Sequence, residues 1–216
     1  MSRVDDGGAK LGLRERKKVK LRENIVRCAV ELFEQRGFDE TSIDEIAERA
    51  EISPSTFFRY YATKEEVLLG ADAALLQILI GCVSESFGRR PSLNGVMDGF
   101  LEFAQRFDGM QDDLSRRRAR LLSVSESVQA RAAHSQLLWE RAVAEELARI
   151  DRLSKPELRH EILASTVMGA YSVAVVRWRK QRRERLVELL RAAFAELLGL
   201  LGDSDGESAR DDAAGG

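Results

Sequence analysis

Within the stretch SPSTFFRYY, Ser55, Thr56, Arg59 and Tyr60 carry hydrogen-bonding groups suited to reading a nucleic-acid surface. Short hydroxyls at a helix start reach base edges or phosphate, and an arginine one turn later can fork onto guanine O6 and N7 in the major groove. Thr56 and Arg59 are therefore the expected base readers. Tyr60, Ser42 and Lys64 suit phosphate better, as a phenol, a helix-cap hydroxyl and a cation at the head of a following helix. Ser53, which caps the reading helix, joins that set. Phe58 is open to two uses, covering a thymine methyl or packing on the preceding helix. Upstream, Arg14, Arg16, Lys17, Lys18, Lys20, Arg22 and Arg27 face only Glu15 and Glu23, a local excess of five positive charges in a chain of net charge −2. A solvated helix face has the same composition. Its place directly before the reading segment favours phosphate or minor-groove contact, with Arg14, Lys17, Lys18 and Lys20 as candidates.

Catalytic chemistry finds no comparable constellation. His134 and His160 stand apart, and the sequence contains no H-E-x-x-H, C-x-x-C, G-x-S-x-G or glycine-rich phosphate loop. Cys28 and Cys82 are far apart and sit in apolar helical patterns, as buried small hydrophobes do. No metal, cofactor or enzymatic activity is expected.

The reading residues need elements to hold them. Ser42 and Glu45 form an S-x-x-E capping box, after which Ile43, Ile46, Ala47 and Ala50 recur at helical spacing. A turn follows at Glu51 and Ile52. Ser53 then caps a second short helix with Pro54 in its first position, where a missing N–H costs nothing. Thr63 to Glu66 is another capping box that opens the next helix. Helices of about seven residues are not stable alone. Support is expected from a helix over 20–36, whose Ile25, Cys28, Ala29, Leu32 and Phe33 share one face and whose end is Gly37. Phe38 would then fold back beside Phe33, Ile43, Ile46, Phe57 and Tyr61.

This layout resembles the TetR-type one-component repressors. The resemblance rests on an apolar helix ending in LFEQRGFDETSIDEIAERA, the turn, STFFRYY and the TKEEVL that follows, and it covers residues 20–70. It implies that the two helix starts and Lys64 touch the DNA backbone. Such proteins usually carry glycine in the turn where this chain has Glu51. A positive φ there would strain a non-glycine residue.

The rest of the chain reads as helix, giving an all-α protein with a three-helix helix-turn-helix head and a larger helical domain. Domain bounds are expected at 13–63 and 64–202, between a disordered 1–12 and a disordered acidic tail over 203–216. Helices are predicted over 64–86, 92–107, 112–123, 126–152, 155–181 and 183–201. No apolar run is expected to span a bilayer, the first residues lack a signal-peptide apolar core, and a cytoplasmic protein without a membrane partner is expected. The last two helices carry apolar stripes that include Ile162, Gly169 and Val173, and Leu190, Phe194 and Leu197. Such stripes serve either core or dimer contact. One reading helix specifies too few base pairs, so a homodimer on a near-palindromic double-stranded operator is expected, and the resemblance implies dimerisation through these two helices.

Phe100, Phe103, Phe107, Leu121, Leu122, Leu138, Trp139, Met168 and Tyr171 are grouped in the middle helices. They suit either ordinary core or a pocket for an apolar ligand. The resemblance implies the pocket, with a small-molecule effector that releases DNA. Segments RARL, QARAAHSQLLWERAVAEELA and AYSVAVVRW are similar to the mycofactocin-type, acyl-CoA-responsive branch. Arginine clusters at 116–120 and 177–185 are either solvated faces or an anion-binding rim for such a ligand. The competing class is a helical adaptor that never touches DNA.

Overall fold

The computed structural model describes residues 12–70, 72–87, 90–123, 125–181 and 184–211. Among the described residues every regular element is helical. The chain divides into two compact units, Met1–Leu68 and Leu69–Gly216.

The first unit contains α1 (Leu13–Arg36), α2 (Ile43–Arg49), α3 (Pro54–Phe58) and most of α4 (Lys64–Leu69). α1 begins earlier than the predicted residue 20, because the basic run is made of good helix formers without a breaker. It stops at Gly37, whose φ of 92° suits a residue without a Cβ and whose N–H bonds the Phe33 carbonyl at 3.0 Å. The chain then reverses, and the Phe38 ring packs on Phe33 with centroids 4.8 Å apart. Ile25, Ala29, Phe33, Phe38, Ile46, Phe57 and Tyr61 are buried together in this unit, as their spacing predicts. The Asn24 amide donates to the Ala50 carbonyl at 3.2 Å and the Cys28 thiol to the Arg49 carbonyl at 3.5 Å, fixing the end of α2 on α1.

The boundary falls after Leu68 rather than at residue 63. Val67 and Leu68 are buried, and Lys64 is bonded to the loop before α2. The predicted helix over 64–86 is two helices, α4 and α5 (Asp72–Glu85), with Gly70 in a turn. Glycine costs about 1 kcal/mol relative to alanine inside a helix, which makes it a natural break. Ala71, assigned to the predicted apolar face, lies outside the described residues.

The second unit adds α6 (Leu93–Met110), α7 (Asp113–Arg120), a 3-10 turn (Leu121–Ser123), α8 (Glu126–Ile150), α9 (Leu158–Lys180) and α10 (Leu186–Asp211). Its core unites Leu79 and Val83 of α5, Phe100 and Phe103 of α6, Val143 and Leu147 of α8, Val167 and Met168 of α9, and Leu190 and Phe194 of α10. α5 and α6 cross closely at Gly99, where a Cβ would stand 2.8 Å from the Val83 Cα. Asp108, near the end of α6, accepts the Leu186 and Val187 N–H groups at 2.9 and 3.0 Å. It thereby caps α10 from another helix. His160 is buried and fully engaged: Nδ1 accepts the Glu157 N–H at 3.0 Å, which leaves Nε2 to donate to Asp151 at 3.0 Å.

Two expectations are corrected. The backbone of 203–211 is helical rather than disordered, since α10 continues to Asp211; no proline interrupts it. Residues 1–11 and 212–216 lie outside the described residues. The stretch Lys64–Glu85 is, by length and composition, apolar enough to cross a membrane. Here it is broken at Gly70, and Leu79, Cys82 and Val83 are buried, with α5 packed against α6 and α8. A core helix passes the same compositional test.

Candidate nucleic-acid interface and effector region

The turn between α2 and α3 has the strain that its residue type predicts. Glu51 has φ 56°, its N–H bonds Glu48, and the Ile52 N–H reaches back to the Ala47 carbonyl at 2.9 Å. That left-handed conformation costs an ordinary residue about 1–2 kcal/mol. The expected caps of α2 and α3 are present. Ser42 Oγ accepts the Glu45 N–H at 3.2 Å while Glu45 accepts the Ser42 N–H at 2.9 Å. These bonds from Ser42, backbone first, hold the Glu45 carboxyl below its ordinary pKa. Ser53 Oγ accepts the Thr56 N–H at 3.2 Å, with Pro54 in the first turn.

α3 is amphipathic over little more than one turn. Phe57 is fully buried, and Tyr61 follows it into the core with ring centroids 5.9 Å apart. The same rotation leaves Ser55 and Arg59 exposed, with Thr56 and Tyr60 partly so. The Arg59 guanidinium lies over the Tyr60 ring at 5.9 Å. Phe58 stands 54% exposed, edge-on to Phe57, so of its two uses the packing one is largely unfilled. Its ring shares the outward face of α3 with Ser55 and Arg59. Its sequence signal is that Phe57 and Tyr61 already occupy the inward positions.

The basic candidates Arg14, Lys17, Lys18 and Lys20 are all exposed on α1. Arg14 with Lys18, and Lys17 with Lys20, follow i, i+4 and i, i+3 spacing, so each pair shares a face of α1. Lys64 behaves differently. Its ammonium donates to the carbonyls of Phe38, Asp39 and Thr41 at 2.7, 3.1 and 3.0 Å and lies 4.5 Å from the Phe38 ring centroid. An ammonium has three protons, and all three are committed inside the head. The expected phosphate contact by Lys64 is therefore corrected: the residue ties the first turn of α4 to the loop before α2. Ser42, Thr63 and Lys64 border one groove of about 440 Å³, beside Asp39 and Glu40.

In the second unit the expected pocket residues form a packed aromatic file. Tyr171 lies 5.5 Å from Phe100 and 6.2 Å from Phe103, Phe103 stands edge-on to Trp139 at 6.0 Å, and Phe107 meets Trp178 at 5.3 Å. Met168 and Leu121 are buried and Leu122 partly so. Leu138 is a correction. It is 51% exposed, because the helical phase that turns Trp139 inward turns its neighbour out.

The expected dimer residues separate in the same way. Ile162 and Val173 are 54% and 53% exposed, and Gly169 is exposed between them, in line with Leu158 and Val176 along α9. Leu190 and Phe194 are buried in the chain's own core, which corrects their assignment to an interface, and Leu197 is half-buried. The large apolar groups that α10 leaves outside, among the described residues, are Leu198, Leu200 and Leu201.

At the end of the aromatic file, Trp178, Arg179, Arg116 and Arg120 surround a small cavity. Arg179 Nε is buried and has no hydrogen-bond partner, a loss of about 1–3 kcal/mol for an unsatisfied donor. Arg182 and Arg183 of the same basic run lie outside the described residues.

Residues 25–71 match the bacterial regulatory proteins of the tetR family, and residues 90–201 match the MftR C-terminal domain. The chain is 29% identical over 171 residues to the proposed mycofactocin biosynthesis transcriptional regulator MftR of Mycobacterium tuberculosis, covering 79% of this chain and 86% of that protein. Among solved structures it is similar to Thermus thermophilus FadR, a TetR family transcriptional repressor in complex with lauroyl-CoA. That similarity has 33% identity, a TM-score of 0.52, and covers 82% of this chain and 93% of the other. A proposed TetR-family regulator from Syntrophomonas wolfei shares the fold at 17% identity, with a TM-score of 0.55 over 85% of this chain and 95% of the other.

Proposed function

Since the chain belongs to the tetR family of DNA-binding transcriptional regulators, we propose that it is a homodimeric repressor of a near-palindromic operator, released by a small apolar or amphipathic ligand. The observation that carries the DNA reading is the division of α3, where Phe57 is buried beneath an outward set of Ser55, Thr56, Phe58, Arg59 and Tyr60. Thr56 and Arg59 read base edges, Phe58 meets a thymine methyl, and Ser42, Ser53, Ser55, Tyr60 and the exposed α1 cations Arg14, Lys17, Lys18 and Lys20 hold phosphates. A helical adaptor without DNA binding would leave that exposed face without a purpose.

Dimerisation is supported by the uncovered stripe of α9, with Ile162, Val173 and Val176 about half exposed and Gly169 allowing close approach. Leu198 and Leu201 of α10 extend the apolar area. Two copies joined there would present two α3 helices to successive major grooves, about 34–36 Å apart.

The effector is an acyl chain carrying an anionic head, of the acyl-coenzyme A class. Support comes from the aromatic file beside an arginine-lined cavity and from the relative described in complex with lauroyl-CoA. Such a ligand must favour the DNA-incompetent state by differential affinity. The test is a mobility-shift titration of the protein on DNA from upstream of its own gene. Lauroyl-CoA is expected to release the DNA, and persistence of the complex with acyl-CoA of every chain length would sink the effector reading.

A further inference from the structure

Three hydroxyls at the start of α3 are joined into a chain. Ser53 Oγ lies 2.9 Å from Ser55 Oγ and 2.9 Å from Thr56 Oγ1. It also accepts the Thr56 N–H at 3.2 Å, a proton shared with the Ser53 carbonyl at 2.9 Å. All three residues belong to the segment that matches the tetR family of DNA-binding regulators, and Ser55 is exposed with Thr56 partly so.

A serine hydroxyl has one proton to give and two lone pairs with which to accept. The Thr56 N–H engages one lone pair of Ser53, so one donor and one acceptor remain for its two hydroxyl neighbours. Ser53 donates to one of them and accepts from the other. The neighbour that gives its proton to Ser53 shows only lone pairs to the outside. The neighbour that receives from Ser53 keeps its own proton for the outside. Ser55 and Thr56 therefore have opposite polarity, and fixing one fixes the other.

Phosphate oxygens only accept, so a phosphate contact by Ser55 needs the Ser55 proton. Ser55 then accepts from Ser53, Ser53 accepts from Thr56, and Thr56 turns lone pairs alone toward the DNA. In the major groove those are matched by the exocyclic amino groups, N6 of adenine and N4 of cytosine, and not by guanine O6 and N7 or thymine O4. We infer that Ser53 is a positioning residue whose hydroxyl makes Thr56 a reader of base amino groups, so that the phosphate contact of Ser55 sets base specificity one residue away. The inference rests on the division of α3 into base-reading and phosphate-holding groups proposed above. With the Ser53 hydroxyl spent in the relay, the phosphate contact of Ser53 runs through its backbone N–H.

Duplexes recovered by the full-length wild-type protein from random-sequence DNA supply the probe. Thr56→Val keeps the shape and removes the hydroxyl, and is expected to relax the preference at one base pair of each half-site. At that pair the amino group is deleted by placing purine for adenine or pyrimidin-2-one for cytosine. Wild-type protein is expected to lose about three- to tenfold in affinity beyond the loss seen with Thr56→Val, the value of one hydrogen bond. A double-mutant cycle isolates that coupling from the weakening of the base pair itself. Deleting the keto oxygen of the same pair, with 2-aminopurine for guanine or 5-methylpyrimidin-2-one for thymine, should show no coupling to Thr56.

Ser55→Ala removes the demand that fixes the polarity. It is expected to weaken all duplexes alike and to abolish the coupling between Thr56 and the amino group, whereas a merely structural role would lower affinity and leave the coupling in place. Ser53→Gly, which retains most of the stability of the cap, should abolish the coupling as well. Coupling of Thr56 to the keto oxygen, or amino coupling that persists in either Ser55→Ala or Ser53→Gly, would overturn the relay and leave the reading of DNA by α3 standing. An unchanged base preference in Thr56→Val would overturn the relay together with the base-reading role of Thr56. If the wild type recovers no duplex, the DNA reading falls with it.

Discussion

Glu51 and Lys64 show how far single residues can be read from type and spacing. The sequence exposes Glu51 as a non-glycine residue in a turn, and its φ of 56° carries the strain which that predicts. Glu51→Gly should stabilise the protein by about 0.5–1 kcal/mol, because the relief of the left-handed conformation exceeds glycine's entropic cost. A rise in thermal midpoint without a change in operator sequence would bear this out, and a fall would mean that Glu51 makes a stabilising contact. Lys64 was legible only as a cation at a helix start. Which acceptors it meets depends on the loop over 38–41, which no local pattern reveals. Lys64→Met is expected to weaken DNA binding while leaving the salt dependence unaltered, whereas Lys18→Met should reduce the slope of log affinity against log salt by about one. Equal slope changes in both variants would restore Lys64 to the phosphate contacts. Arg59→Ala should cost about 1–3 kcal/mol and relax the preference at one base pair, if it reads guanine as proposed.

At the scale of elements, the capped helix starts were the most legible features, because a cap is a contract between residues three apart. Ser42 with Glu45 and Ser53 with Thr56 are local in that sense, and both bonds are present. The Asp108 cap of α10 was not legible, since 78 positions separate donor and acceptor. Asp108→Ala is expected to lower stability by about 1–3 kcal/mol through two buried N–H groups left unpaired, measured as a reduced denaturation midpoint. The caps also set a pH dependence. Glu45 is held low by backbone and then side-chain bonds with Ser42, and Asp112 by side-chain and then backbone bonds with Ser115. A depressed carboxylate pKa stabilises the fold above the unfolded value and loses that contribution as pH falls through the folded value. Thermal stability should therefore hold above about pH 5 and decline below about pH 4. A midpoint that rises on acidification through that window would contradict the capping roles. The apolar stripes were legible as stripes but not as core or surface: Leu190 and Phe194 are inward while Ile162 and Val173 are outward, and only the packing of α9 and α10 on the other helices decides which.

For the whole molecule, the account requires two copies, because one α3 helix offers too little sequence information and the outer stripe of α9 is uncovered in one chain. The all-helical class and the head were readable from periodicity, punctuation and charge placement. The effector region was not, since aromatic residues in a packed file and in a ligand pocket have the same composition. The measurement that bears most directly on the central claim is a footprint of the protein on DNA from upstream of its own gene, repeated across a salt series. Protection of a two-fold site whose half-sites lie one helical turn apart, with affinity falling steeply as salt rises, is the expected result. No protection at low salt by a folded, dimeric protein, with none recovered by selection from random-sequence DNA, would contradict it.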